Sequence, residues 1–221
     1  MTDSKKFSYE NQELEVTWDL KRCIHAKECV HGLPSVFDPK RKPWIDPDNE
    51  TDSEKIIETI ERCPTGALQY HFKNKNNPET PPSSNRIIID ENGPLHIHGN
   101  IIVQDKDGNE ILRETRLAFC RCGKSSNKPL CDNSHIKAEW KAGTTYNPER
   151  LELEPQETEG GELLVKLIEN APFVVEGNYE VIGGDQSTKT CKKMSFCRCG
   201  ASENKPFCDG THRQIEFKSD E

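Results

Sequence analysis

Short runs of alternating apolar and polar residues dominate the second half of the chain. These runs are rich in isoleucine and valine, the composition and period of β-strands. They lie at 86–90, 95–104, 163–168 and 173–182. The segments Asp105–Gly108 and Gly183–Gly184 each follow a long run and predict hairpin turns. The pattern predicts strand-rich modules in this half of the chain.

A helical period occurs in the first third of the chain instead. Ile56, Ile57, Ile60 and Cys63 fall on one face of a helix, behind the capping-box pattern Thr51–Glu54. The sequence therefore predicts a short helix that ends near Cys63, just before Pro64.

The two strand-rich segments are repeats of each other. Cys120–His135 aligns with Cys197–His212 at an offset of 77 residues, and Pro94–Asn100 aligns with Pro172–Asn178 at an offset of 78. Polar segments at 73–85 and 146–161 have the composition of linkers. We expect three modules, at 1–74, 86–144 and 160–221.

Composition argues against one large packed domain. Hydrophobic residues make up 32% and charged residues 31% of the 221 positions, and aromatic residues only 7%. Small units that rely on more than apolar burial suit this composition. Ten cysteines are available for that purpose, nine of them in three groups and Cys191 apart.

The setting of these cysteines favours metal over disulfides. The first twenty residues contain no apolar run of a signal peptide, and no stretch has the roughly 18 apolar residues of a membrane span. We expect a cytoplasmic protein without a membrane partner, in which clustered thiols bind metal. The net charge of −8 argues against nucleic acid and favours a basic protein partner.

Each repeat carries a set of four metal-ligand residues. In an extended segment Cys120 and Cys122 point the same way and can bind one metal atom. Cys131 and His135 lie one helical turn apart and can bind a second. Asp132 is placed to accept hydrogen bonds from a helix N-terminus. In the second repeat the same roles fall to Cys197, Cys199, Cys208, His212 and Asp209. Three cysteines and a histidine also suit structural zinc, although zinc sites more often use paired C-x2-C ligands.

Lys-Pro at 128–129 and 205–206 and the ending Cys-Asp-x-(Ser/Thr)-His resemble the CDGSH iron–sulfur family (mitoNEET-like proteins). The second repeat matches the family pattern in full. The first has Asn133 in place of glycine, a residue that also tolerates positive φ. The resemblance implies one [2Fe-2S] cluster per repeat, with two cysteines on the inner iron and Cys plus His on the outer iron. Single-copy members form homodimers, so it also implies an intramolecular pseudo-dimer of the two modules.

A third cysteine group lies near the N-terminus. The segments Cys23–Cys29 and Cys63–Leu68 resemble a divergent single-cluster ferredoxin-like domain, with Ala26 where bacterial ferredoxins have their middle cysteine. Cys23, Cys29 and Cys63 suit a [3Fe-4S] cluster, which we favour at this point. A [4Fe-4S] cluster would need His25 or an external ligand. The alternative is a domain with zinc or without a cluster.

The sequence predicts a multi-module α+β protein, a ferredoxin-like domain followed by two β-rich CDGSH modules. We expect it to transfer electrons to or from a redox protein. The alternatives are a cluster carrier or a redox or pH sensor, and a zinc-binding interaction module. No phosphate loop, nicotinamide fingerprint or Ser/His/Asp set is present, so we expect no enzymatic activity.

Overall fold

The chain folds into two compact units, residues 1–80 and 81–221. The computed structural model describes residues 5–74, 79–147, 160–185 and 188–219. Most of the predicted second linker, at 148–159, lies outside the described residues, as does 75–78 of the first. Each unit has its own hydrophobic core. The protein as a whole is a mixed α+β, strand-rich fold with few helices.

The N-terminal unit is built on a three-stranded antiparallel sheet in the order β1-β2-β3. Its strands are β1 (Lys6–Glu10), β2 (Leu14–Asp19) and β3 (Leu68–Phe72). Two helices, α1 (Glu28–Gly32) and α2 (Ser53–Glu61), lie between β2 and β3 in the chain. A 3₁₀ turn, Pro47–Asn49, precedes α2.

Helix α2 is the predicted helix, and its apolar face is buried as predicted. Ile56 and Ile60 are completely buried and join Leu14 and Val16 of β2 in the core. The capping differs from the prediction, because Asp52 rather than Thr51 is the N-cap and its carboxylate accepts a hydrogen bond from the Glu54 amide. The helix ends two residues before Cys63, which places this cysteine just beyond its C-terminus.

The C-terminal unit contains one six-stranded sheet. The predicted strands are confirmed to within one residue at each end, but the sequence pattern did not predict the two strands that lead into the C-x-C motifs. The strands are β4 (Arg86–Ile89), β5 (Leu95–Gln104), β6 (Glu110–Phe119), β7 (Glu162–Leu167), β8 (Phe173–Ile182) and β9 (Thr188–Phe196). The added strands are β6 and β9. A four-residue helix, α3 (Ser134–Lys137), and a 3₁₀ turn, Thr211–Arg213, follow the cysteine motifs.

The two repeats exchange their first strands within this sheet. Strand β4 pairs antiparallel with β5 of its own repeat and parallel with β8 of the other. Strand β7 pairs antiparallel with β8 and parallel with β5. Strands β4 and β7 each pair with both β5 and β8, so they lie between the β5–β6 hairpin and the β8–β9 hairpin. This arrangement buries both repeats in a single core, which includes Phe119, Phe173 and Phe196.

Two residues in the predicted linkers belong to this core region instead. Asn85 is 2% exposed, and its side chain donates to the carbonyls of Gly161 and Asn178. Tyr146 packs on the core and donates its hydroxyl proton to the Val181 carbonyl. The composition of these segments did not predict the two contacts. A single residue at the edge of a linker can enter a neighbouring core without changing the polar character of the segment.

Candidate metal centres

Cys120, Cys122, Cys131 and His135 come together at the end of hairpin β5–β6, and we call this set centre 1. The Cys120 amide donates to the carbonyl of Pro129, and the Cys131 amide donates to the carbonyl of Ala118. This pairing folds the segment after β6 back along the end of the strand. The two cysteine-containing segments are therefore held side by side by the backbone.

The ligand atoms of centre 1 occur in two pairs with spacings that suit tetrahedral metal. The Sγ atoms of Cys120 and Cys122 are 3.6 Å apart, and Cys131 Sγ is 3.6 Å from His135 Nδ1. Around one tetrahedral atom, two sulfur ligands at about 2.3 Å lie about 3.8 Å apart, and a sulfur and a nitrogen ligand at about 2.0 Å lie about 3.5 Å apart. Each pair thus fits one metal atom, and the histidine ligand atom would be Nδ1.

The second repeat forms centre 2 with the same geometry. Cys197 Sγ and Cys199 Sγ are 3.6 Å apart, and Cys208 Sγ is 3.4 Å from His212 Nδ1. The Cys197 amide donates to the Pro206 carbonyl, as Cys120 does to Pro129 in the first repeat. The structure therefore brings all eight predicted CDGSH-type ligand residues into two equivalent arrangements.

The turn that joins the third cysteine to the histidine is not the single helical turn predicted. Helix α3 begins only at Ser134, and Asn133 before it is in the left-handed region with φ of 69°. Gly210 occupies the same conformation in centre 2. Asparagine is tolerated in this conformation, which preserves the geometry of centre 1. The tight turn, rather than a helical face, brings Cys131 and His135 together.

Hydrogen bonds fix the approach to both centres. Asp132 accepts from the amides of Ser134 and Ser126, as predicted for a carboxylate at a helix N-terminus. Burial opposes its ionisation, but these hydrogen bonds lower the pKa of Asp132 to about 2. The amides of Lys124 and Asn133 approach Cys122 Sγ and Cys131 Sγ at 3.4 Å. Such donors favour negative charge on sulfur.

The arginine between the two cysteines of each C-x-C motif points away from the ligand pair, as predicted. Arg121 donates to the carbonyls of Gly93 and Asp90, and it lies over the ring of Trp140 at 5.2 Å. Arg198 donates to the carbonyls of Ala171 and Ile168. Each arginine therefore connects its C-x-C motif by hydrogen bonds to the turn before the long strand of its repeat, β5 or β8.

The two thiols of the C-x-C pair in centre 1 shift each other's pKa in opposite directions. The hydrogen bond from Cys122 lowers the pKa of Cys120 to about 6 and raises that of Cys122. Burial raises the pKa of Cys131 to about 12. Because metal ligands must be deprotonated, metal binding at centre 1 would release protons.

Cys23, Cys29 and Cys63 border one cavity of about 710 Å³ in the N-terminal unit, together with His25. Cys23 Sγ is 4.0 Å from His25 Nδ1. Burial raises the pKa of Cys29 to about 11, and the charges of Cys63 and Cys23 act in the same direction. Cys29 therefore interacts with both of the other predicted thiols. Trp18 and Trp44 also line the cavity.

Two polar residues near centre 1 were not predicted as part of it. The carboxylate of Asp90 lies 3.6 Å from His96 Nε2, and its charge acts on His135. His96 had the pattern of an ordinary strand residue. The repeat alignment holds the available signal, because Asp90 and His96 stand where the second repeat has Ile168 and Val174.

Within the described residues, no group of three or more His, Cys, Asp and Glu side chains is arranged to hold a single metal ion. In the same part of the chain, no helix has the length and apolar character needed to cross a membrane.

Comparison with known proteins assigns all three regions. Residues 9–73 match a family described as a divergent 4Fe-4S mono-cluster. Residues 92–136 and 170–213 match the iron-binding zinc finger family of CDGSH type. The chain is 40% identical over 65 residues to the uncharacterized protein YjdI of Escherichia coli strain K12 and to that of strain O157:H7. The match covers 29% of this chain and 84% of each relative. No solved structure matches the chain.

These matches coincide with the three cysteine groups and confirm the resemblances stated from the sequence. The chain therefore belongs to the iron–sulfur proteins that join a divergent 4Fe-4S mono-cluster domain to two iron-binding CDGSH domains.

Proposed function

We propose that the protein transfers electrons between redox proteins through two [2Fe-2S] clusters and one ferredoxin-type cluster. The observation that carries this proposal is the duplicated arrangement of ligand pairs. In each repeat, two thiols 3.6 Å apart are followed by a Cys–His pair with a similar spacing. In this proposal each pair binds one of the two irons of a cluster. A [2Fe-2S] cluster in this position supplies one-electron chemistry, with a potential raised by the histidine ligand.

The burial of the ligand side chains in centre 1 suits electron transfer. Cys120, Cys122 and Cys131 are each 3% exposed, so their thiolates are shielded from water. His135 is partly exposed, and its Nδ1 faces Cys131. A redox partner protein would approach at a partly exposed ligand of this kind. We propose no catalytic residues and no enzymatic activity.

The two CDGSH modules form an intramolecular pseudo-dimer in this proposal. The support is the reciprocal pairing of β4 with β8 and of β7 with β5. A hydrogen bond also joins the two repeats, because the indole nitrogen of Trp140 donates to the carbonyl of Gly200. The two centres are thus close neighbours, which suits electron exchange between them.

For the N-terminal unit we propose a [4Fe-4S] cluster in a ferredoxin-like domain, in place of the [3Fe-4S] cluster favoured from the cysteine count. The description of the matching family supports four irons. His25 lines the same cavity as the three cysteines, which supports His25 as the fourth ligand.

A cluster carrier is the second candidate, favoured by the partial exposure of His135. Protonation of an accessible histidine ligand would release its metal.

The test is iron, sulfide and zinc analysis with visible and EPR spectra on protein purified without oxygen. We expect about eight irons per chain, matching sulfide and reversible one-electron reduction. Zinc without sulfide would overturn the proposal. Rapid loss of clusters to an apo-ferredoxin at neutral pH would favour the carrier.

A further inference from the structure

The side chain of Thr65 contacts one of the three N-terminal cysteines. Thr65 lies two residues after Cys63 and lines the same cavity. Its Oγ1 atom is 3.6 Å from Cys63 Sγ, within the distance of a hydrogen bond to sulfur. The residue is only 3% exposed, so the contact is shielded from bulk water. A buried hydroxyl group therefore meets the sulfur atom of a predicted cluster ligand.

The second contact of this hydroxyl group fixes the direction of the hydrogen bond. Thr65 Oγ1 accepts from the Ala67 amide at 3.2 Å, and its own proton is left to donate elsewhere. A thiol must lose its proton to bind metal, so Cys63 has no proton to donate once it binds a cluster. The hydroxyl of Thr65 is then the donor, and the sulfur of Cys63 is the acceptor.

Backbone hydrogen bonds hold the Thr65 turn in place. Arg22, the residue before the first cysteine, is 6% exposed and donates from Nη2 to the Thr65 carbonyl at 2.8 Å. The Asp19 amide at the end of β2 donates to the Ala67 carbonyl at 2.7 Å. The turn after Cys63 is thus attached to the segment that leads from β2 into the first cysteine. The position of the Thr65 hydroxyl beside the sulfur is therefore set by the fold and not by a free rotor on the surface.

We infer that Thr65 raises the reduction potential of the N-terminal cluster by donating a hydrogen bond to the Cys63 thiolate. Reduction adds negative charge to a cluster and its sulfur ligands, and a donor to sulfur stabilises that charge. Thr65 acts through Cys63 and is not itself a ligand. The inference rests on the proposed function, in which this unit holds a ferredoxin-type cluster.

The experiment is a redox titration of the full chain carrying Thr65→Val, which removes the hydroxyl and keeps a side chain of similar shape. EPR follows the N-terminal cluster, because [4Fe-4S] and [2Fe-2S] signals differ in their temperature dependence. We expect the potential of this cluster to fall by about 59 mV, a tenfold change in the ratio of reduced to oxidised cluster. The two CDGSH clusters should keep their potentials. Thr65→Ser retains the hydroxyl and should restore the potential of the parent protein.

Thr59→Val is the matched control for the loss of a buried hydroxyl group. Thr59 is 4% exposed, and its hydroxyl donates to the Lys55 carbonyl at 2.8 Å within α2. Its substitution should leave the potential of the N-terminal cluster unchanged, even if it lowers the free energy of unfolding. The potential therefore separates an effect on the cluster from an effect on stability.

Resonance Raman spectra in H₂O and D₂O provide a second readout. Exchange of the Thr65 proton for deuterium should shift an iron–sulfur stretching band of the N-terminal cluster in the parent protein and in Thr65→Ser. Thr65→Val should lack this shift. The measurement on the parent protein does not require any variant to fold.

The inference and the proposed function fail in different ways. If Thr65→Val retains both its cluster and the potential of the parent protein, the inference is wrong and the proposed function stands. Bands that do not move in D₂O in the parent protein would also contradict the inference. An iron content of about four per chain, without an EPR signal from the N-terminal unit, would overturn the cluster proposed for this unit and the inference with it.

Discussion

Gly123 lies directly against the backbone of Cys199, so that a Cβ atom at position 123 would stand 2.6 Å from the Cys199 carbonyl oxygen. The contact is reciprocal. A Cβ atom at Gly200 would stand 2.5 Å from the carbonyl oxygen of Cys122. The loop that carries the C-x-C ligands of one repeat therefore packs on the equivalent loop of the other. The two centres share a backbone interface that has no room for a side chain.

This interface predicts that Gly123→Ala and Gly200→Ala destabilise the C-terminal unit. Both residues have positive φ, 73° and 81°, and an added methyl group must also displace the opposing backbone. We expect each substitution to lower the free energy of unfolding by more than about 2 kcal/mol and to reduce iron content. Urea unfolding and iron analysis measure both effects.

Gly108→Ala separates backbone strain from the contact. Gly108 also has positive φ, 87°, but a Cβ atom there would meet nothing within 4 Å. Its substitution should lower the free energy of unfolding by only about 1 kcal/mol and leave iron content unchanged. Equal effects of Gly108→Ala and Gly123→Ala would show that the loops do not press on each other in solution.

Acid should release iron from the CDGSH centres through their histidines. Burial lowers the pKa of His135 and of His212, so both imidazoles remain neutral and able to bind metal until the pH falls below the ordinary value of about 6.5. Protonation then removes the ligand nitrogen. We expect His135→Cys and His212→Cys to slow the loss of visible absorbance at about pH 5.5 by several-fold.

The control for acid release is His71→Gln, which changes an exposed histidine on β3. It should leave the rate of absorbance loss unchanged. Loss at the same rate in all three variants and in the parent protein would mean that acid acts on the thiolates or the fold rather than on these histidines.

The side chain of Asn85 should contribute strongly to the joining of the two CDGSH modules. Its Nδ2 donates to Gly161 and Asn178 of the second repeat, and its Oδ1 accepts from the Asn100 amide of the first. Asn85→Ala leaves three partly buried backbone hydrogen bonds without this side-chain partner. We expect a decrease of about 2–4 kcal/mol in the free energy of unfolding.

Asn109→Ala is the matched control for this loss of hydrogen bonds. Asn109 bonds Asp105 at an exposed turn, where water can replace the lost partner. Its effect on urea unfolding should stay below about 1 kcal/mol. If Asn85→Ala unfolds at the same urea concentration as the parent protein, the side chain does not hold the modules together.

The sequence was sufficient to predict the parts of the fold that depend on local patterns. The alternation of β5 and β8 and the helical face of α2 identify these elements because each buries one face. The strand exchange of β4 and β7 could not be predicted in this way. Which strands pair depends on contacts between residues far apart in the chain, and a period of two is satisfied by any partner.

The ligand sets of both CDGSH centres were predictable because a C-x-C motif repeated at a fixed offset restricts the geometry to a few choices. The residues that surround these ligands could not be predicted in the same way. Asp90 comes to centre 1 only because Arg121 binds its carbonyl, and His96 comes only through the register of β4 and β5. The spacing of the cysteines gives no information about either contact.

The N-terminal unit provides the last prediction, which concerns the fourth ligand of its cluster. His25 is exposed, has positive φ of 56° and presents Nδ1 at 4.0 Å from Cys23 Sγ. If His25 binds the fourth iron, His25→Ala should reduce the iron content from about eight to about seven per chain after oxidation in air, since three thiolates retain a three-iron core. Mössbauer spectra would show the loss of one site. His31→Ala is the control, because His31 lines the same cavity without a contact to Cys23 in the described residues. An unchanged count of eight irons in His25→Ala would mean that a ligand from outside the protein completes the cluster.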